Sequence, residues 1–173
     1  IWSRAKQIDQ SVQPVTIPAK VFHLSDYLQQ NTTNHTEAFT HVVAACRRAG
    51  GGKIVVPPGT YFTGPIELSP NINLHVERGA HIKFSTNPED YPLVLTRYEG
   101  VELYNYSSLI YARNANNVMV SGEGILDGQA ANDNWWSWCG AERFGWKPGM
   151  PQQTPDRNEL FAQAEQGVPV KEL

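Results

Sequence analysis

The sequence predicts an all-β protein wound as a parallel β-helix, capped by a helix at its N-terminal end and incomplete as a stack. Three observations predict it: a chain of very short β-rich runs with no helix between them, an amphipathic helical run before them, and an internal echo at coil spacing. From Ile54 the runs are Ile54 to Val56, Tyr61 to Thr63, Ile66 to Leu68, Ile72 to Val76 and Ile82 to Phe84, each closed by Gly, Pro or Asn. A doubly wound sheet needs crossover helices for which there is no room, and a sandwich or up-and-down barrel needs longer alternating runs. Short strands that turn every few residues suit a coil in which successive turns pair in register and bury their inner faces against one another.

Taken in order, residues 1–20 form an N-terminal extension, and residues 21–173 form the cap and first coils of one domain. The first coil of a stack would expose apolar surface and unpaired backbone groups, so it needs a cover. The run Thr36 to Ala49 can provide one. Ala38, Phe39, Val42, Val43, Ala45 and Cys46 share a helical stripe, Thr36 is placed to cap the N-terminus, and Arg47 and Arg48 occupy the last turn before Gly50. The coils follow. Asn71-Ile72-Asn73-Leu74-His75-Val76 with Gly79 and Ile82 is echoed by Asn116-Asn117-Val118-Met119-Val120 with Gly122, Gly124 and Ile125. Asn and Gly suit corners because both tolerate left-handed backbone. Beyond the second copy lies a Gly/Pro-rich aromatic loop with Trp135, Trp136, Trp138, Phe144 and Trp146, and then the tail from Asn158 to Leu173.

The segments VPPGTYFTGPIEL, NINLHVERGAHIKFSTNPEDYP and RYEGVELYNYSSLIYARNANNVMVSGEGILDGQ, followed by WWSW, resemble the N-terminal portion of the polygalacturonase family of glycoside hydrolases. The likeness runs from about Val21 to Trp138 and more weakly to Leu173; Leu24 to Thr36 departs from it in lacking a Gly-rich segment. The resemblance implies a right-handed, pectin-lyase-like parallel β-helix and a parent enzyme that hydrolyses α-1,4-linked galacturonan by an inverting acid/base mechanism. It also implies where the chemistry is carried: three aspartates, a His-Gly pair and an Arg-Ile-Lys type motif, all beyond the matched region. Asn-Thr-Asp, adjacent Asp-Asp and Gly-His-Gly are absent from this sequence. No residue is therefore assigned a catalytic role, and the 173-residue chain alone is expected to be inactive. The nearest acidic pairs, Glu89/Asp90 and Glu99/Glu102, sit in polar turn contexts and read as solvated loop carboxylates. The alternative is a non-catalytic β-helix carbohydrate-binding or structural module. A lyase on the same fold would need calcium-binding carboxylates, which are not evident.

Substrate contacts are expected from the loops. Sugar rings present apolar faces that stack on aromatic side chains, which makes Trp135, Trp136 and Trp138 candidates, with packing of the loop as their plainer role. Arg97, Glu99 and Tyr106, in the apparent loop Arg97 to Tyr106, are the others. The net charge of −3 argues against a general polyanion surface, so an anionic pectic chain would need local cations; Arg97, Arg113, Arg143 and Lys147 are scattered possibilities. The expected partner is the pectic polysaccharide itself, together with a missing C-terminal part of the same protein, and neither nucleic acid nor membrane. No cofactor and no metal are expected: the five histidines show no ligand spacing with Cys46 or Cys139. Cys46 reads as a buried hydrophobe, whereas Cys139 is open to either a free or a bridged state. The sequons at Asn31, Asn34 and Asn105, and a substrate found outside cells, suit a secreted or periplasmic protein.

Overall fold

The computed structural model describes residues 2–173, in the order α1 (Trp2–Ser11), β1 (Val21–His23), α2 (Thr36–Arg48), β2 (Gly52–Val56), β3 (Gly59–Thr63), β4 (Ile66–Glu67), β5 (Ile72–Val76), β6 (Ala80–Phe84), β7 (Leu93–Tyr98), β8 (Val101–Tyr106), β9 (Ile110–Tyr111), β10 (Met119–Gly122), β11 (Ile125–Asp127) and α3 (Gln153–Glu165). Three sheets are parallel: β1-β2-β5-β10, β3-β6-β11 and β4-β9. The chain visits them in the same succession on each pass. β2, β3 and β4 make one turn, β5, β6 and β9 the next, and β10 with β11 begin a third. Every expected short run falls on a strand or at its end.

The side chains alternate as this stacking requires. Ile54 and Leu74 lie in one inward column with Val120, and Tyr61 and Ile82 in another with Leu126. The lower members are buried, but Val120 and Leu126 are 45% and 44% exposed, because no further strand covers β10 and β11. The corners are built as expected. Asn71 and Asn117 adopt positive φ (62° and 54°), and Asn117 Nδ2 donates to Asn71 Oδ1 at 3.0 Å, so the two corners are tied one above the other.

At the opposite end, α2 packs under the first turn with Ala38, Phe39, Val42, Val43 and Cys46 buried. Ala45, placed on the same stripe by periodicity, is only partly buried. The expected cap is corrected: Asn34 Oδ1 accepts from the Thr36 amide at 2.9 Å, and Thr36 Oγ1 accepts instead from the Gly64 amide at 2.8 Å, joining the helix to the first turn. β1 was not evident from its three residues; it pairs with β2 and covers that strand's free edge. The Cys46 thiol is buried and its pKa is pushed up to about 11, chiefly by desolvation.

The segment Arg97 to Tyr106 is not a loop. β7 and β8 form an antiparallel hairpin inserted between β6 and β9, closed by Glu99 and Gly100, both at positive φ (46° and 96°), as a two-residue primed turn demands. An Asn/Asp-Gly pair signals such a turn, and Glu-Gly is a weaker cue, which is why the strands read as a loop. α1 buries none of its residues.

Candidate functional site

Two clefts adjoin the hairpin. The first, of about 320 Å³, is lined by Tyr91, Tyr106, Leu109, Trp135 and Trp138, with Pro88, Ser107, Ser108, Gly128 and Ala130 completing its rim. The second, of about 430 Å³, lies between the hairpin and α3 and is lined by Tyr98, Leu103, Asn105, Tyr106, Trp138, Gln152, Asp156, Arg157 and Leu160, among others. Tyr106 and Trp138 border both. Rigid elements hold these rings. The Asn134 side chain accepts from the Trp135 and Ala131 amides (2.6 and 2.7 Å) and donates to the Gln129 carbonyl (3.0 Å), fixing the turn that carries the tryptophans. Trp135 Nε1 donates to the Gly128 carbonyl at 3.1 Å, and its ring meets Tyr91 and Trp138 edge to face at 6.0 and 5.1 Å between centres. Tyr91 donates its hydroxyl to the Ser85 carbonyl at 2.6 Å; burial and the neighbouring Asp90 push its pKa up to about 12.

A third, more polar groove of about 460 Å³ runs along the outward face of β3-β6-β11, lined by Asn34, Phe62, Thr63, Lys83, Ser85, Asp90 and Gln129, among others. On that face Phe62, Lys83 and Asp127 are register partners in one row across the sheet. Asp127 accepts from the Gln129 amide (2.8 Å) and pairs with His81 Nε2 (3.0 Å) and Lys83 Nζ (4.0 Å). The Gln129 amide, then His81, holds the Asp127 carboxyl below the usual carboxylate range. Among the described residues, the only buried side-chain polar atoms lacking a protein partner are the hydroxyls of Thr63 and Ser107, one bordering the polar groove and the other the first aromatic cleft.

The structure brings together three of the six expected contact residues, Tyr106, Trp135 and Trp138. Trp135 packs with its N–H satisfied, whereas Trp138 lines open space on both sides. Trp136 stands apart, 50% exposed and edge-on to Phe144 at 6.3 Å. Arg97 pairs with Glu102 across the hairpin at 3.1 Å, and Glu99 receives both Nε and Nη2 of Arg157 (3.0 and 2.6 Å), which ties the hairpin tip to α3. Neither lines a cleft. The other scattered cations do not converge: Arg113 pairs with Glu67 at 3.7 Å and Arg143 lies over the Phe144 ring. Of the acidic pairs, Glu99, Glu102 and Asp90 are engaged, Asp90 by accepting from Ser85 Oγ. The sequence holds one Arg-x-Lys, Arg4 to Lys6, on α1. No group of three His, Cys, Asp or Glu among the described residues is placed to hold a metal ion. Both cysteines are free thiols, Cys139 exposed.

Sequence reasoning missed the row Phe62, Lys83, Asp127. Its signal was present in the alternation of Phe62 with Tyr61 and Thr63, and of Lys83 with Ile82 and Phe84, which puts Phe62 and Lys83 outside. What the sequence lacks is the register that sets them side by side.

No family model matches the chain. It is 31% identical over 123 residues to an exo-poly-α-D-galacturonosidase of Dickeya chrysanthemi and 28% identical over 113 residues to a probable polygalacturonase of Vitis vinifera, alignments covering 65% and 60% of this chain and 20% and 23% of those proteins. Its fold overlays on the crystal structure of a hyperthermoactive exopolygalacturonase of Thermotoga maritima with a TM-score of 0.93 and 43% identity, over 99% of this chain and 39% of that one. The chain spans about a fifth of the length of the curated relatives it matches.

Proposed function

We propose that this chain, similar to polygalacturonases over nearly its whole length, is the opening portion of a glycoside hydrolase that cleaves α-1,4-linked galacturonan on a right-handed parallel β-helix. The likeness to a solved exopolygalacturonase carries the reading. Residues 1–20 are an extension, and residues 21–173 the cap and early coils. A further coil stacks on β10 and β11, where Val120 and Leu126 lie uncovered. Hydrolysis with inversion requires one carboxylic acid to protonate the leaving oxygen and a carboxylate roughly 6.5–9.5 Å away to activate water. Those groups belong to coils beyond this chain. Around the clefts Glu99 is paired with Arg157, Glu102 with Arg97 and Asp127 with Gln129 and His81, which leaves Asp156 as a lone carboxylate on the second cleft with no second acid set against it.

The contribution of this portion is binding. Trp138 and Tyr106 offer the ring faces on which the apolar side of a sugar stacks, on a wall made rigid by the Asn134 turn and the β7–β8 hairpin. Trp135 positions Trp138. The protein acts where pectin is found, so export to the periplasm or the exterior goes with the reading. The second reading is a carbohydrate-binding or structural module without chemistry. The chain mixed with polygalacturonate should bind it and release no reducing ends. Measurable release would place a working acid and base in this chain and contradict the assignment; failure to bind would contradict the binding role given to this portion and leave only a structural one.

A further inference from the structure

Lys83 is the cation of the polar groove, and its surroundings are unusual for a surface lysine. Its stem lies along the outward face of β6 between Phe62 of β3 and Asp127 of β11, and its side chain is only 30% exposed. Nζ sits 5.7 Å from the centre of the Phe62 ring and 4.0 Å from Asp127 Oδ2, too far for a hydrogen bond, and it donates to no other described side chain or carbonyl. An ammonium carries three donors. Asp127 therefore anchors the charge without saturating it, because its own oxygens already accept from the Gln129 amide and His81.

Around this cation the groove presents an aromatic face, Phe62 at 44% exposure, and hydrogen-bonding groups not already taken: Asn34 Nδ2, Gln129 Oε1 (its Nε2 donates to the Phe84 carbonyl) and the Asp90 oxygen left free by Ser85 Oγ. Its volume of about 460 Å³ falls within the usual range for small-ligand sites. A partly desolvated ammonium beside an exposed ring, rimmed by donors and acceptors, matches a ligand with an anionic group, an apolar face and several hydroxyls. A hexuronate sugar has all three. A neutral hexose lacks the group that would meet the ammonium, and a simple anion lacks the surface that would cover Phe62.

We propose that Lys83 is a specificity-determining residue, receiving the carboxylate of one uronate unit of the bound chain while the sugar's apolar face rests on Phe62 and its hydroxyls meet Gln129 and Asp90. The inference rests on the galacturonan reading and adds to it a discrimination between acidic and methyl-esterified pectin. Asp90 and Asp127 oppose an anion by long-range repulsion, so selectivity must come from short charge-assisted contacts to Nζ.

The test is calorimetric titration of the chain with trigalacturonate and with its fully methyl-esterified form. The unaltered chain should bind the acid about tenfold more tightly, the effect of one hydrogen bond to a charged group. That preference should shrink as salt is raised, which reads the ion pair without any substitution. Lys83→Gln should bind both forms alike, Lys83→Arg should keep most of the preference, and neither should move the thermal midpoint. Full preference in Lys83→Gln would overturn the proposal. If the unaltered chain binds both forms equally and Trp138→Ala abolishes that binding, the galacturonan reading stands and the role of Lys83 falls. If it binds neither, both fall.

Discussion

Trp138 and Trp135 differ in what holds them, and that difference separates binding from stability. Trp135 has its N–H satisfied and its ring packed against Tyr91 and Trp138, so Trp135→Ala should lower the unfolding free energy by about 2–3 kcal/mol, somewhat less than for a fully buried tryptophan. Trp138→Ala, which opens two clefts already partly open, should instead weaken oligogalacturonate binding at little cost in thermal midpoint. Trp136→Ala should change neither by much. At the same scale, two groups make the fold sensitive to alkali. Cys46 has a folded pKa raised from 9.0 to about 11 and Tyr91 one raised from 10.0 to about 12. Each is protonated in the fold where the unfolded chain has begun to ionise, so their contribution is intact below about pH 9 and is lost as pH rises through 9–11 for the thiol and 10–12 for the phenol. Midpoints measured from pH 8 upward should fall, and Cys46→Ala should flatten the lower part of that fall. The residue scale is also where the sequence was hardest to read: tryptophans three apart look equivalent on paper, and only the edge-to-face packing shows which one is free to stack.

Among the elements, the coil corners set the tightest tolerance. Gly122 closes β10 at φ 102°, and a Cβ there would run into the Val76 carbonyl of the turn below. Gly122→Ala combines left-handed strain with a backbone clash and should destabilise by about 3 kcal/mol or more. Gly100, at the hairpin tip with φ 96° and open space around its Cα, carries the strain alone, and alanine there should cost about 1–2 kcal/mol. Chemical unfolding of the two variants side by side checks the difference. Helix and strands of the first two turns were legible because inward Ile, Leu, Val and Phe alternate with polar residues and each run stops at Gly, Pro or Asn. β1 and the hairpin were not, for opposite reasons. Three residues are too few to show a period, and in β7 and β8 the alternation is blurred by exposed Leu93, Leu95, Tyr104 and Tyr106 on both strands. The cap position was misplaced because Thr36 and Asn34 are both good N-terminal residues, and the Gly64 amide, distant in sequence, decided between them.

Across the whole molecule, the two ends of the stack differ. α2 and β1 close the first turn, whereas β9, β10 and β11 offer unpaired edges with Val120, Ile125 and Leu126 exposed among them. Apolar edge strands of this kind template pairing. The chain should self-associate as its concentration rises, and Leu126→Glu should shift light scattering toward the monomer without loss of the parallel core. The parallel architecture followed from strand length and turn spacing alone, because few folds accept so many short strands in so little chain. The clefts did not follow, since each is assembled by the hairpin, the tryptophan turn and α3, segments whose mutual placement leaves no mark in local pattern.

Galacturonan should meet this portion of the protein at Trp138, and quenching of tryptophan fluorescence during titration with oligogalacturonate tests that most directly. Saturable quenching by the unaltered chain, lost in Trp138→Ala at an unchanged thermal midpoint, is the expected result. Equal binding by the two proteins, or none by either, would contradict it.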